Sequence, residues 1–128
     1  KHGRILSLDE SLLPWYKWNS SNNSASYPVS DWINTKKESN PAWKLPTIDD
    51  LTTLFSYRFG VNESSIGNDG MPLKYASSAG GTYWSSEEAH NNGSYPRYIK
   101  CFKGYSATGQ TIESSWEATH SVRAIASF

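Results

Sequence analysis

Few residues in this 128-residue chain have the type and spacing to do chemistry, and each has a plain structural reading beside it. His2, His90 and His120 lie far apart, with no cysteine or acidic residue at metal-ligand spacing, which fits ordinary surface histidines better than a zinc site. Cys101 is the sole cysteine, so an intrachain disulfide and a thiolate metal site are excluded, and its alternating position in a strand-like segment predicts a buried, inert thiol. Calcium needs about six to eight oxygen ligands. Asn68 and Asp69 in a Gly-Asn-Asp-Gly turn, or the Glu87-Glu88 pair, come nearest to such a set, but a turn and a solvated acidic pair account for them more simply. Two of the 12 acidic residues meeting in a cleft would suffice to hydrolyse a glycosidic bond, yet no spacing singles out a pair. The chain has no Gly-x-Ser-x-Gly, His-Glu-x-x-His, phosphate loop or dinucleotide fingerprint. The expectation is a protein that is no enzyme and uses no cofactor and no metal, with a glycan-active enzyme as the remote alternative.

Composition narrows the partners. Lysine plus arginine equals aspartate plus glutamate at 12 each, so no long-range field steers nucleic acid or an anionic membrane. Six Trp and 8 Tyr stand among many Ser, Asn and Thr, a mixture suited to extracellular recognition, although most large rings belong in a core. No apolar run approaches the ~20 residues needed to cross a bilayer. The length fits a single domain over residues 1–128, and the start at Lys1-His2-Gly3 suggests a processed protein or an excised domain. Four Asn-x-Ser sequons, at Asn19, Asn22, Asn62 and Asn92, are coincidental in so Asn- and Ser-rich a chain.

The elements that must position these residues follow from pattern. Arg4–Leu8 reads as a strand ended by Asp9-Glu10, and residues 14 to 30 as a long loop pinned by Trp15 and Trp18. Ser30 caps a short helix over 31–38, with Trp32 and Ile33 inward, Lys36 and Lys37 in the last turn, and Pro41 beyond it. A stronger helix starts at Thr47, whose hydroxyl faces Asp50 in a capping box; Leu51, Leu54, Phe55 and Phe59 form its apolar face and Gly60 ends it. Residues 61 to 81 read as irregular. Strand-like segments follow at about 82–86, 96–102, 109–113 and 120–127, a β-meander. Alternation turns Ile99 and Cys101 inward and leaves Tyr98, Lys100 and Phe102 on the outer face.

Three motifs stand out: Trp43-Lys44-Leu45-Pro46-Thr47-Ile48-Asp49-Asp50-Leu51, Tyr83-Trp84-Ser85-Ser86, and Ser121-Val122-Arg123-Ala124-Ile125. Physically, Trp43 would cover the start of the main helix, Trp84 would fill the core beneath that helix, and Arg123 would be held by Asp49 or Asp50. In this order the motifs resemble the bacterial C-type-lectin-like domains of the DUF1566 and Fibrobacter major paralogous domain group, over roughly residues 1 to 128. Arg97 and Cys101 depart from the aromatic or apolar residues usual there. The resemblance implies an α+β, C-type-lectin-like fold with two helices packed on a twisted antiparallel sheet and long irregular loops. It also implies an extracellular or bacterial cell-surface location, secreted or lipoprotein-borne, as in gut Bacteroidetes. Formylglycine-generating relatives of that fold use a pair of cysteines, and this chain has one. A related set of lectin-fold proteins carries its variable segment between the second and third motifs, and His90 to His120 is similar in layout. The candidate ligand-binding residues are therefore His90, Tyr98, Lys100, Phe102, Tyr105, Trp116 and Glu117, meeting a glycan or protein on a cell or matrix surface. A structural or pilus-type subunit without a small ligand is the alternative.

Overall fold

The computed structural model describes residues 4–74, 80–89, 98–104 and 110–127. Seven strands and three helices follow in the order β1 (Arg4–Pro14), β2 (Lys17–Asn19), β3 (Ser24–Ser26), α1 (Pro28–Ser39), α2 (Ile48–Ser56), α3 (Arg58–Gly67), β4 (Thr82–Glu88), β5 (Tyr98–Lys103), β6 (Gln110–Ser115) and β7 (Thr119–Ser127). The architecture is α+β. Five strands form one sheet in the order β1-β7-β4-β5-β6, while β2 and β3 make a separate hairpin. β4, β5 and β6 are the expected meander, but β7 returns past them to lie antiparallel to β1 and parallel to β4, so the sheet is mixed.

Each face of this sheet carries a buried layer. On one, Val29 of α1 packs with Trp84, Ile99, Cys101, Trp116 and Val122. On the other, Leu51 and Phe55 of α2 pack with Leu73, Tyr83 and Phe102. Neighbouring residues of a strand point to opposite faces, so the Tyr83-Trp84 pair divides between the layers. Trp84 therefore does not lie beneath α2 as expected. It lies on the α1 side, fully buried, with its indole N–H donating to the Leu13 carbonyl at 2.7 Å, and Tyr83 meets Phe55 with ring centroids 5.3 Å apart.

The helices depart from the sequence pattern at their ends. α1 starts at Pro28, not at a Ser30 cap, because proline is pre-set for the first helical position and lacks the N–H that would go unpaired there. α2 has the expected capping box: Thr47 Oγ1 accepts from the Asp50 amide at 3.1 Å and Asp50 Oδ2 from the Thr47 amide at 3.0 Å. It ends at Ser56, however, and the chain turns at Tyr57 into α3, which contains Gly60 and runs to Gly67. That turn carries Phe59 away from the α2 face and leaves it 68% exposed. Part of the region read as irregular is thus helical. Asn62 on α3 fixes the segment after it, accepting from the Leu73 amide at 2.6 Å and donating to the Leu73 carbonyl at 3.2 Å.

The acidic pair Asp9-Glu10 does not end β1. Glu10 lies opposite Arg123 in the β1–β7 ladder, after a register shift between Leu6 and Glu10. Its carboxylate is buried and accepts from Arg123 Nη1 at 2.9 Å, Tyr83 Oη at 2.8 Å and Lys74 Nζ at 2.7 Å. Arg123 also donates from Nε to the Ser7 carbonyl at 2.7 Å and from Nη2 to Ser65 Oγ at 3.1 Å. The arginine thus has its acid on β1, and Asp50 pairs instead with Arg4 at 2.8 Å.

Two adjacent acids should consequently behave very differently. Glu10→Ala strands a buried guanidinium and is expected to cost about 3–5 kcal/mol in chemical denaturation, whereas Asp9→Ala removes an exposed partner of Lys36 and should cost less than about 1 kcal/mol. Trp84→Ala is expected to cost about 3–5 kcal/mol by the same measurement; parent-like stability in that variant would contradict its placement in the core.

Candidate ligand-binding groove

Two of the seven residues expected to bind ligand, Phe102 and Trp116, belong to the core. Phe102 is 1% exposed and touches the α2 layer, while Trp116 is 3% exposed in the α1 layer. Alternation along β5 is as expected, with Tyr98, Lys100 and Phe102 on one side, but α2 covers the Phe102 end of that side. Neither Phe102 nor Trp116 can offer its ring to a ligand without opening the fold. Tyr98 is half-buried, Lys100 is half-buried with its ammonium 4.0 Å from the Glu87 carboxylate, and Glu117 is exposed after β6. His90 and Tyr105 lie outside the described residues.

Groups singled out for metal or acid chemistry have structural tasks. Glu87 Oε2 accepts from the Ile48 amide at 2.7 Å, placing a carboxylate at the start of α2, where the unpaired amides and the helix dipole favour negative charge. Asn68 and Asp69 form the turn that ends α3, with their amides donating to the Ser65 and Ile66 carbonyls at 3.0 Å each. Among the described residues no three His, Cys, Asp or Glu side chains gather as a metal site. Burial pushes the Cys101 thiol well above its ordinary range, which holds it protonated and unreactive. Burial, and then the Glu10 charge, likewise push the Tyr83 phenol far up, so it stays a donor to Glu10.

A deeper concavity lies elsewhere among the described residues. A groove of about 760 Å³ runs between the start of β1 and the α2–α3 pair. Leu6, Leu54, Val61 and Ile125 give it apolar walls, and the Arg4–Asp50 ion pair stands at the α2 start. Ser64, Ser65 and Asn68 of the last α3 turns supply polar groups. Ile5, Leu8 and Tyr57, at 49%, 46% and 70% exposure, form a rim. Gly60 explains part of the opening, because a Cβ built there meets nothing within 4 Å. The residue that pattern marks as a helix stop is in fact where α3 omits a side chain beside the groove.

The groove is rigidly founded. Ser65 lines it and also accepts from Arg123 while donating to the Met71 carbonyl at 2.8 Å, so the α3 wall is tied to the buried ion pair. The β1 wall is tied to the same pair through the Ser7 carbonyl. In the sequence its only trace is that Ile5, Leu6 and Leu8 put apolar residues on both sides of one strand. A strand that is apolar on both sides needs cover on both, and the groove is where that cover is incomplete.

His120 gives a readout of the α1 layer. Its Nε2 lies 2.7 Å from Ser114 Oγ, its ring meets Trp84 edge-on at 4.8 Å, and burial lowers its pKa below the ordinary value. The fold therefore favours the neutral imidazole, and the unfolded chain binds the proton more readily. The stability His120 contributes should be complete above about pH 6.5 and lost progressively as pH falls below it. Melting temperatures recorded from pH 8 to pH 5 should show that decline in the parent, and a flatter acid limb in His120→Gln.

Compared with known proteins, the chain matches no protein-family model and has no significant match among curated protein sequences.

Proposed function

We propose that this chain is a non-catalytic recognition domain of the C-type-lectin-like kind, adhesin-like, carried outside the cytoplasm on a bacterial surface. Its ligand is a glycan or protein of a cell or matrix surface, and its binding site is the groove between β1 and α2–α3. The groove itself carries this reading. It is concave, mostly apolar, fitted with a few fixed polar groups, and of a volume usual for ligand sites. The three motifs and their resemblance support the location, and the balanced charge disfavours a nucleic-acid partner. Among the described residues no helix is long and apolar enough to cross a membrane.

A pilus-type or structural subunit is the second reading, favoured by Phe59 and Ile66 of α3, which stay 68% and 59% exposed and are not groove residues. Exposed apolar surface of this kind suits packing between subunits. Sedimentation separates the readings: a recognition domain remains monomeric at concentrations where a subunit assembles.

Screening the purified domain against immobilised glycans and matrix proteins supplies the ligand for a direct test. Gly60→Phe should fill the groove and weaken that binding at least about tenfold, and Tyr57→Ala should cost more than about 1 kcal/mol of affinity. Melting points should stay near the parent's, since Gly60 has open space beside it and Tyr57 is exposed. Chelator should leave both binding and melting unchanged. Binding that survives both substitutions would remove the groove from consideration.

A further inference from the structure

We propose that the β2–β3 hairpin, with the ring stack at its base, is a carbohydrate platform that takes the face of an uncharged pyranose. It is a second site, independent of the groove and sharing no residue with it. Tyr16 stacks on Trp116 with centroids 4.1 Å apart and planes 11° from parallel, and Tyr27 stands edge-on to Tyr16 at 5.5 Å. A main-chain bond from the Tyr16 amide to the Trp116 carbonyl, 2.9 Å, locks the stack to the end of β6. Buried Trp116 is thus a pedestal, and Tyr27, 44% exposed, is the part that meets solvent.

The hairpin extends this surface. Trp18 pairs with Ala25 across it, and directly opposed residues share a face. Ala25 has only a methyl group to lay against the indole, so Trp18 remains 49% exposed although the strands are fixed. Lys17 is the one charged residue between Tyr16 and Tyr27, and it pairs with Ser26 on the opposite face of the hairpin. The turn holds itself with its amide oxygens: Asn19 Oδ1 accepts from the Ser21 amide and hydroxyl at 3.0 and 2.7 Å, and Asn22 Oδ1 accepts from the Ser24 hydroxyl at 2.6 Å. These bonds fix the turn on which the two strands meet.

These parts match a neutral sugar. The electron-rich face of an aromatic ring attracts the weakly positive axial C–H groups on the face of a pyranose for the same reason that it attracts the edge of another ring. A protein partner is the poorer fit, because two half-exposed rings offer on the order of 200 Å², well short of the ~800 Å² each partner gives to a stable protein interface.

The test is an array of immobilised neutral oligosaccharides, followed by calorimetric titration with the best-bound one. Trp18→Ala and Tyr27→Ala should each weaken binding about fivefold or more, and Trp18→Tyr should retain most of it. Phe59→Ala, which removes an exposed ring elsewhere and outside the groove, should leave it unchanged. Absence of binding to any arrayed sugar at millimolar concentration would overturn the proposal. So would sugar binding indifferent to Trp18 and Tyr27, or a protein ligand that depends on them.

Discussion

The contact between Arg123 and Glu10 sets the geometry of the rest. Both side chains are fully withdrawn from water, and two such charges are tolerable only when their attraction and the surrounding hydrogen bonds offset the lost hydration. Each partner therefore needs further polar groups at fixed positions. The guanidinium takes the Ser7 carbonyl and the Ser65 hydroxyl, and the carboxylate takes the Tyr83 hydroxyl and the Lys74 ammonium. Those groups come from β1, α3, β4 and the segment after α3, so one ion pair fixes how four parts of the chain meet β7. The register shift in β1 is a consequence, since it lets Ser7 and Glu10 both reach the same arginine.

A sheet with a core layer on each face keeps its largest rings inside. α1 and its neighbours occupy one side and α2 the other, which consumes the rings of Trp84, Tyr83, Phe102 and Trp116. The two proposed binding sites therefore lie at its margins. One margin is the groove beside edge strand β1, where α3 turns away from α2 at Tyr57 and Gly60 contributes no side chain. The other is the hairpin, which stands apart from the main sheet and keeps Trp18 in solvent. Electrostatics at the α2 start belongs to the same arrangement. Arg4, Asp50 and Glu87 meet there from β1, α2 and β4, so the helix is seated by charge as well as by its apolar face.

What the sequence alone determined is local. The Thr47–Asp50 capping box, the positions of β4 to β7 and the inward setting of Ile99 and Cys101 depend on neighbours within a few residues, so they are legible in order and spacing. Partner choice is not. That Arg123 is held by Glu10 and not by Asp49 or Asp50, that Trp84 lies under α1, and that Phe102 faces a helix instead of solvent depend on β7 crossing back to β1 and on which helix covers each face. Alternation says that Phe102 and Cys101 point opposite ways but cannot say that both ways lead inside. Gly60 has the same lesson at a smaller scale: a glycine after an apolar run signals a stop or a gap equally well, and only the packing of α3 beside β1 makes it the opening of a groove. Desolvation and packing act between residues distant in sequence, and the tertiary structure decides them.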